Sequence, residues 1–174
     1  MSNKQLTLKP QDLVVALKIA VHPEQEFTYA NLASQLFMSP SEVHTSVKRA
    51  QACGLLVRSK EHAASKYALN EFLAHGIQYV FPHVNGMLTR GIPTGLAGPP
   101  LSAYFPLADG LPQVWPTPDG ISQGIALLPL YPSVPLACAS DLELYGVLTL
   151  VDALRGGKAR EREIAMKLVK EYLK

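Results

Sequence analysis

Among the hydrogen-bond donors crowded into one short stretch, "SPSEVHTSVKRAQACG", Ser41, His44, Thr45, Lys48 and Arg49 fall together. In a helix, residues three and four apart are neighbours, so this spacing gathers them on one side. Val43, Val47 and Ala50 follow the same period and form the apolar side. The outward set suits recognition rather than bond-making. Serine and threonine hydroxyls reach phosphates or base edges, an arginine can contact guanine bidentately, and lysine and histidine approach phosphates. A merely solvated face is the plainer alternative for Lys48 and Arg49.

Several elements must position that face. Ser39 can cap a helix, Pro40 fits its first position, and Glu42 completes a capping box, so a helix is expected over about Pro40–Cys53 with Gly54 ending it. Before it, Thr28 is a good cap for a shorter helix carrying Leu32, Ala33 and Leu36, and only "FMS" separates the two. Two helices joined by so short a turn are the framework of a helix-turn-helix. A first helix begins at Pro10, with Leu13, Val14, Leu17 and Val21 at helical spacing. After Gly54, "LLVRS" and "SKYALN" read as two short strands around "KEHAA". Their tip would offer Arg58, Lys60, His62 and Lys66 to phosphates.

The run "TYANLASQLFMSPSEVHTSVKRAQACGLLVRSKEHAASKYAL" resembles a winged helix-turn-helix of the broad MarR-like or AsnC-like kind. The resemblance implies a DNA-binding domain whose third helix enters the major groove and whose hairpin touches the backbone. The contact set would be Thr28, Ser39, Ser41, His44, Thr45, Lys48, Arg49, Arg58, Lys60, His62 and Lys66. Duplex binding by such a module implies a dimer.

Eleven of the fourteen prolines fall between Pro82 and Pro135. Large apolar residues such as Ile77, Tyr79, Trp115, Ile125 and Leu130 interleave with them, so this middle is expected to be ordered and largely extended, with short strands near Ile77–Phe81 and Gly124–Leu128. Trp115 reads as a core or interface anchor. His83, Asn85 and Arg90 lie close in sequence, but no Ser-His-Asp order, phosphate loop, HExxH or paired-carboxylate pattern accompanies them, and no catalytic residue is assigned. The tail opens on Asp141 as a cap, continues as the apolar "LELYGVLTLVDALR", breaks at Gly156-Gly157, and ends in an amphipathic helix with Arg160, Arg162, Lys167 and Lys170 outward. The pattern "VWP…PLYP…LxLYxxLxLVDALRxGxARERExA" is similar to a group of bacterial winged-helix proteins. Some of these look like the regulator half of an abortive-infection toxin–antitoxin pair, which implies a partner protein.

Charge is uneven. Residues 1–70 carry +3, residues 71–157 carry −4, and residues 158–174 carry +3, a mild pointer to nucleic acid. Cys53 and Cys138 are far apart and in no metal-like spacing, and the opening "MSNKQLTLKP" is no signal peptide, so a reducing, cytoplasmic setting is expected. No apolar run reaches the ~18 residues of a membrane span. The expected fold is mainly α with a small β wing, an α+β chain in three parts: a winged helix-turn-helix (1–72), a Pro/Gly-rich wrapping segment (73–139), and a C-terminal helical hairpin for dimerisation or partner binding (140–174). The expected function is a non-enzymatic, dimeric bacterial transcription regulator that binds double-stranded DNA without cofactor or metal. The alternative is a protein-interaction module with an antitoxin-like role.

Overall fold

The computed structural model describes residues 6–58, 63–106 and 110–174. Among these it is an α+β structure of eight α-helices and one small mixed sheet. Helix α1 spans Pro10–Val21, with Pro10 in its first turn and the Lys9 amide donating to Asp12 Oδ2 at 2.8 Å. Helix α2 (Tyr29–Leu36) is capped by Thr28, whose Oγ1 accepts from the Asn31 amide. Helix α3 (Pro40–Ala52) carries the expected box: Ser39 Oγ accepts from the Glu42 amide, and Glu42 reaches back to the Ser39 amide. Gly54 follows at φ +79°, the left-handed position that glycine adopts without penalty.

Two expected strands are helical instead. Among the described residues, pairing after α3 is a bridge between Leu56 and Ala64, flanked by Val57 N–H to the Ala63 carbonyl and Ser65 N–H to the Leu55 carbonyl. Ser65 then caps α4 (Lys66–His75), so "KYALN" is helix. The reason is that Leu69 and Leu73 are fully buried while Glu71 between them is exposed: a strand would put all three on one face, whereas a helix turns Glu71 away. Ile77–Phe81 was expected to be extended, but its first four residues form α5 (Ile77–Val80), which packs on the tail through the buried Ile77.

The sheet comprises β1 (Asn85–Pro93), β2 (Gln113–Pro116) and β3 (Ser122–Leu127). The first runs antiparallel to both others, and β2 and β3 pair in parallel, so the three close on themselves as a miniature barrel. Gly91 sits where β1 meets both partners, opposite Pro116 and Ser122. A side chain there would collide with the Trp115 carbonyl, while Gly120 lies against the Gly91 backbone. Closure at this radius therefore depends on glycine. The expected strand near Gly124–Leu128 is β3.

Helix α6 (Val134–Cys138) leads to α7 (Leu142–Gly156), capped by Asp141, and then to α8 (Ala159–Tyr172). From Leu144 to Arg155 every residue of α7 except Tyr145 is buried. It is a central helix, packed by α1, α5, α8 and the turn Gly95–Ala97. One continuous hydrophobic cluster runs from Leu13 to Leu173 and draws on all three parts of the sequence. No described helix is long and apolar enough to cross a membrane.

Candidate nucleic-acid interface

Helix α3 lies across α1 and α2 on Val43, Val47 and Ala50, all with no exposed surface. The opposite side presents Ser41, His44, Thr45 and Lys48, all exposed. These four form one row, because Ser41, Thr45 and Lys48 follow the three- and four-residue steps of a helix and His44 adjoins them. Thr45 Oγ1 donates to the Ser41 carbonyl at 2.8 Å, which fixes its rotamer and leaves its lone pairs outward. The His44 ring stands edge-on to Tyr29 of α2, 5.0 Å between centroids, so the imidazole is oriented by the preceding helix.

Arg49 was expected to face outward with them. Instead its guanidinium turns back to α1 and holds the Asp12 carboxylate through two bonds, Nε to Oδ2 at 2.7 Å and Nη2 to Oδ1 at 2.6 Å. Asp12 has no exposed surface, and the paired carboxylate raises the Arg49 pKa further above its ordinary range. A buried carboxylate demands a cation, and Arg49 is the one that reaches it. Arg58 also folds back: its guanidinium donates to the Gln51 and Ala52 carbonyls, the open C-terminal end of α3, where a cation is favoured. Lys66 is not at a hairpin tip; it opens α4, and its ammonium meets the Lys174 carbonyl. Lys60 and His62 lie outside the described residues. The hydroxyls of Thr28 and Ser39 serve as helix caps and are exposed beside the row.

Three features of this region were not legible in the sequence. Phe37, in the turn between α2 and α3, adopts the left-handed conformation (φ 53°, ψ 44°) with 55% of its surface exposed. A bulky side chain in that conformation costs on the order of 1–2 kcal/mol. The turn is also fastened from outside: Ser133 Oγ donates to the Leu36 carbonyl at 2.6 Å, and the Tyr131 hydroxyl donates to Glu42 Oε1. The Glu42 carboxylate raises the Tyr131 pKa, with burial adding to it. Finally, α1 is tied to the tail. Lys18 Nζ meets Asp141 Oδ2 at 2.5 Å, and His22 Nε2 lies 2.9 Å from the same oxygen. Burial pushes the Asp141 carboxyl up, but the Leu144 amide, Lys18 and His22 together hold it below the ordinary carboxylate range.

His83, Asn85 and Arg90 do not converge. His83 packs its ring on Gly156, Asn85 accepts from Gln113 Nε2 at 3.1 Å, and Arg90 lies five residues further along β1 opposite Gln123. Trp115 is an anchor: its indole is buried and donates to Asp152 Oδ2 at 2.6 Å. Asp152 also accepts from Thr94 and Arg155, and Arg155 donates in turn to the Phe81, Pro82 and Leu128 carbonyls. Burial raises the Asp152 pKa against the pull of those donors. No group of three or more His, Cys, Asp or Glu among the described residues is placed to hold a metal.

The geometry defines a class by arrangement alone: a capped helix, held across a shorter one by a tight turn, with a row of polar side chains free on its outer side. No protein-family model matches the chain, and no curated protein or solved structure is significantly similar to it.

Proposed function

We propose that this protein is a non-enzymatic, sequence-specific DNA-binding regulator that acts as a dimer, with α3 as the helix presented to the major groove. The observation that carries this reading is the exposed row Ser41, His44, Thr45 and Lys48, set on a helix braced by α1 and α2. The bridge Leu56–Ala64, directly after α3, stands where a wing would. Lys48 supplies a phosphate contact, while Ser41, His44 and Thr45 are short enough to read base edges. Arg49 acts at one remove, by holding α3 against α1. The test is fluorescence anisotropy with a pool of short duplexes at two salt concentrations. Binding that falls steeply with salt, and a Lys48→Ala variant that binds severalfold more weakly with a salt slope reduced by about 1, is the expected result. Salt-insensitive or absent binding by the wild type would overturn it.

A second reading, a winged module that masks a partner protein, is favoured by two observations. Arg49 is withdrawn into the fold, leaving Lys48 as the lysine or arginine of α3 that faces solvent, and the exposed Arg58 is engaged by the carbonyls at the end of α3. Phe37 is exposed beside the start of the same helix. Co-purification of a stoichiometric partner whose binding is lost in Phe37→Ser, with no duplex binding, would establish it in place of the first.

A further inference from the structure

Among the described residues, Phe37 alone combines a side chain with a positive φ. Glycine is the usual occupant of such a position at a helix end, and a bulky residue there is strained. The hydrophobic core does not use the ring. Phe37 is 55% exposed and belongs neither to the hydrophobic cluster nor to the residues packed on it. The apolar contact that such a helix end calls for comes from the next residue, Met38, which is buried and whose amide donates to the Ala33 carbonyl at 3.0 Å.

The turn is nonetheless held on both sides. Ser133 Oγ donates to the Leu36 carbonyl just before Phe37, and the Tyr131 hydroxyl donates to Glu42 just after it, while Glu42 reaches back to the Ser39 amide. Strained residues persist where surrounding contacts fix them, and they gather where a ligand is met. Here two side chains of the middle segment fix a conformation that the core of the head does not require.

Phe37 lies four residues before Ser41, so their Cα atoms are within about 15 Å of each other. It therefore belongs to the N-terminal end of α3, the end that reaches base edges when such a helix lies in the major groove. The exposed residues along the chain on either side, Ser34, Ser39, Pro40 and Ser41, offer three hydroxyls and no second large apolar group. The core of a protein interface gathers several large apolar side chains. One ring among hydroxyls is better matched to a base pair, and thymine sets a methyl group beside a hydrogen-bond acceptor on its major-groove edge.

We propose that Phe37 contacts the methyl group of a thymine in the major groove, and so selects one base pair next to those met by the first turn of α3. The proposal rests on the DNA-binding reading and adds to it a specificity-determining residue outside the polar row. Lysine and the hydroxyls meet phosphates and hydrogen-bonding edges; an apolar ring is what distinguishes a methylated base from the same base without its methyl.

The test uses a duplex enriched from the pool described above, with each thymine replaced in turn by uracil, which pairs identically and lacks the methyl. One replacement is expected to weaken wild-type binding about fourfold, the worth of burying one methyl-sized group. Phe37→Gly should bind the thymine and uracil duplexes alike, and the thymine duplex about fourfold more weakly than wild type does. Its melting temperature should not fall, since the strain is gone, and its salt slope should stay at the wild-type value, because no phosphate contact is lost. Phe37→Asn, which tolerates the same backbone conformation without glycine's freedom, should behave likewise. Wild-type binding indifferent to every replacement, or a thymine preference that survives in both variants, overturns the inference and leaves the DNA-binding reading standing. Loss of a protein partner in these variants, with duplex binding unchanged, also overturns it and assigns the ring to the second reading. A wild type that binds no duplex overturns both.

Discussion

Two arginine–carboxylate pairs hold this molecule together, and they differ in kind. Arg49 and Asp12 join two helices 37 residues apart, in a bidentate contact at the edge of the three-helix head. Arg155 and Asp152 stand on one helix, three residues apart, and reach outward to what surrounds it. Asp152 collects Trp115 and Thr94, while Arg155 collects three backbone carbonyls. The first pair sets the position of one helix. The second gathers the miniature barrel and the segment entering it onto the tail. A helical head needs one such strut because capping and apolar periodicity already specify its elements. The elements of the proline-rich middle are short and carry few such local signals, and they depend on a long-range anchor.

The largest test of that contrast is Arg155→Met, which strands Asp152 in the core and frees three carbonyls. It is expected to cost about 3–5 kcal/mol in urea denaturation. Arg49→Leu is expected to cost less, about 2–3 kcal/mol, because Asp12 keeps the Lys9 amide and the pair lies nearer the surface. Its neighbour supplies the control: Lys48→Ala is expected to stay within about 0.5 kcal/mol of wild type while weakening duplex binding. Equal stability losses at 48 and 49 would erase the distinction between strut and contact. Gly91→Ala, which drives a methyl into the Trp115 carbonyl, is expected to cost about 2 kcal/mol and to loosen the near-ultraviolet signal of Trp115. Phe37→Gly should act in the opposite direction, raising stability by up to about 1 kcal/mol as the left-handed strain is relieved. The smallest effect is one of pH. The Asp141 carboxyl is held below its ordinary range, so its contribution is present above the unfolded value of about 3.9 and is lost as pH falls through the folded one. Asp141→Asn keeps a capping side chain. Its stability curve should therefore be flatter than wild type on that acid side and similar in shape above it.

Much of the head was legible because its signals are local. Ser39, Pro40 and Glu42 announce a helix within four residues, and Gly54 closes it. What failed was direction: nothing near Arg49 says that it faces α1, because Asp12 is brought beside it only by packing. The second strand of the wing failed for a related reason. "SKYALN" offers only Tyr67 as a strand former, while Ser65 caps and Leu69 and Leu73 are buried on either side of the exposed Glu71, a helical pattern that extends beyond those six residues. In the tail, the Asp141 cap and the glycine break at 156–157 were both visible. The use of Asp141 as an ion-pair partner for Lys18 was not.

The sequence by itself determined α1, α2, α3, α7 and α8, with the caps of α2, α3 and α7, because hydrogen bonds and apolar periods over three or four residues depend on nearby side chains alone. Only the tertiary structure decided which polar groups remain outside. Asp12, Asp152 and the end of α3 are buried or left open by contacts between distant segments, and each draws in a cation that a local pattern had placed in solvent or left without a role. The row left on α3 is what remains after those demands are met.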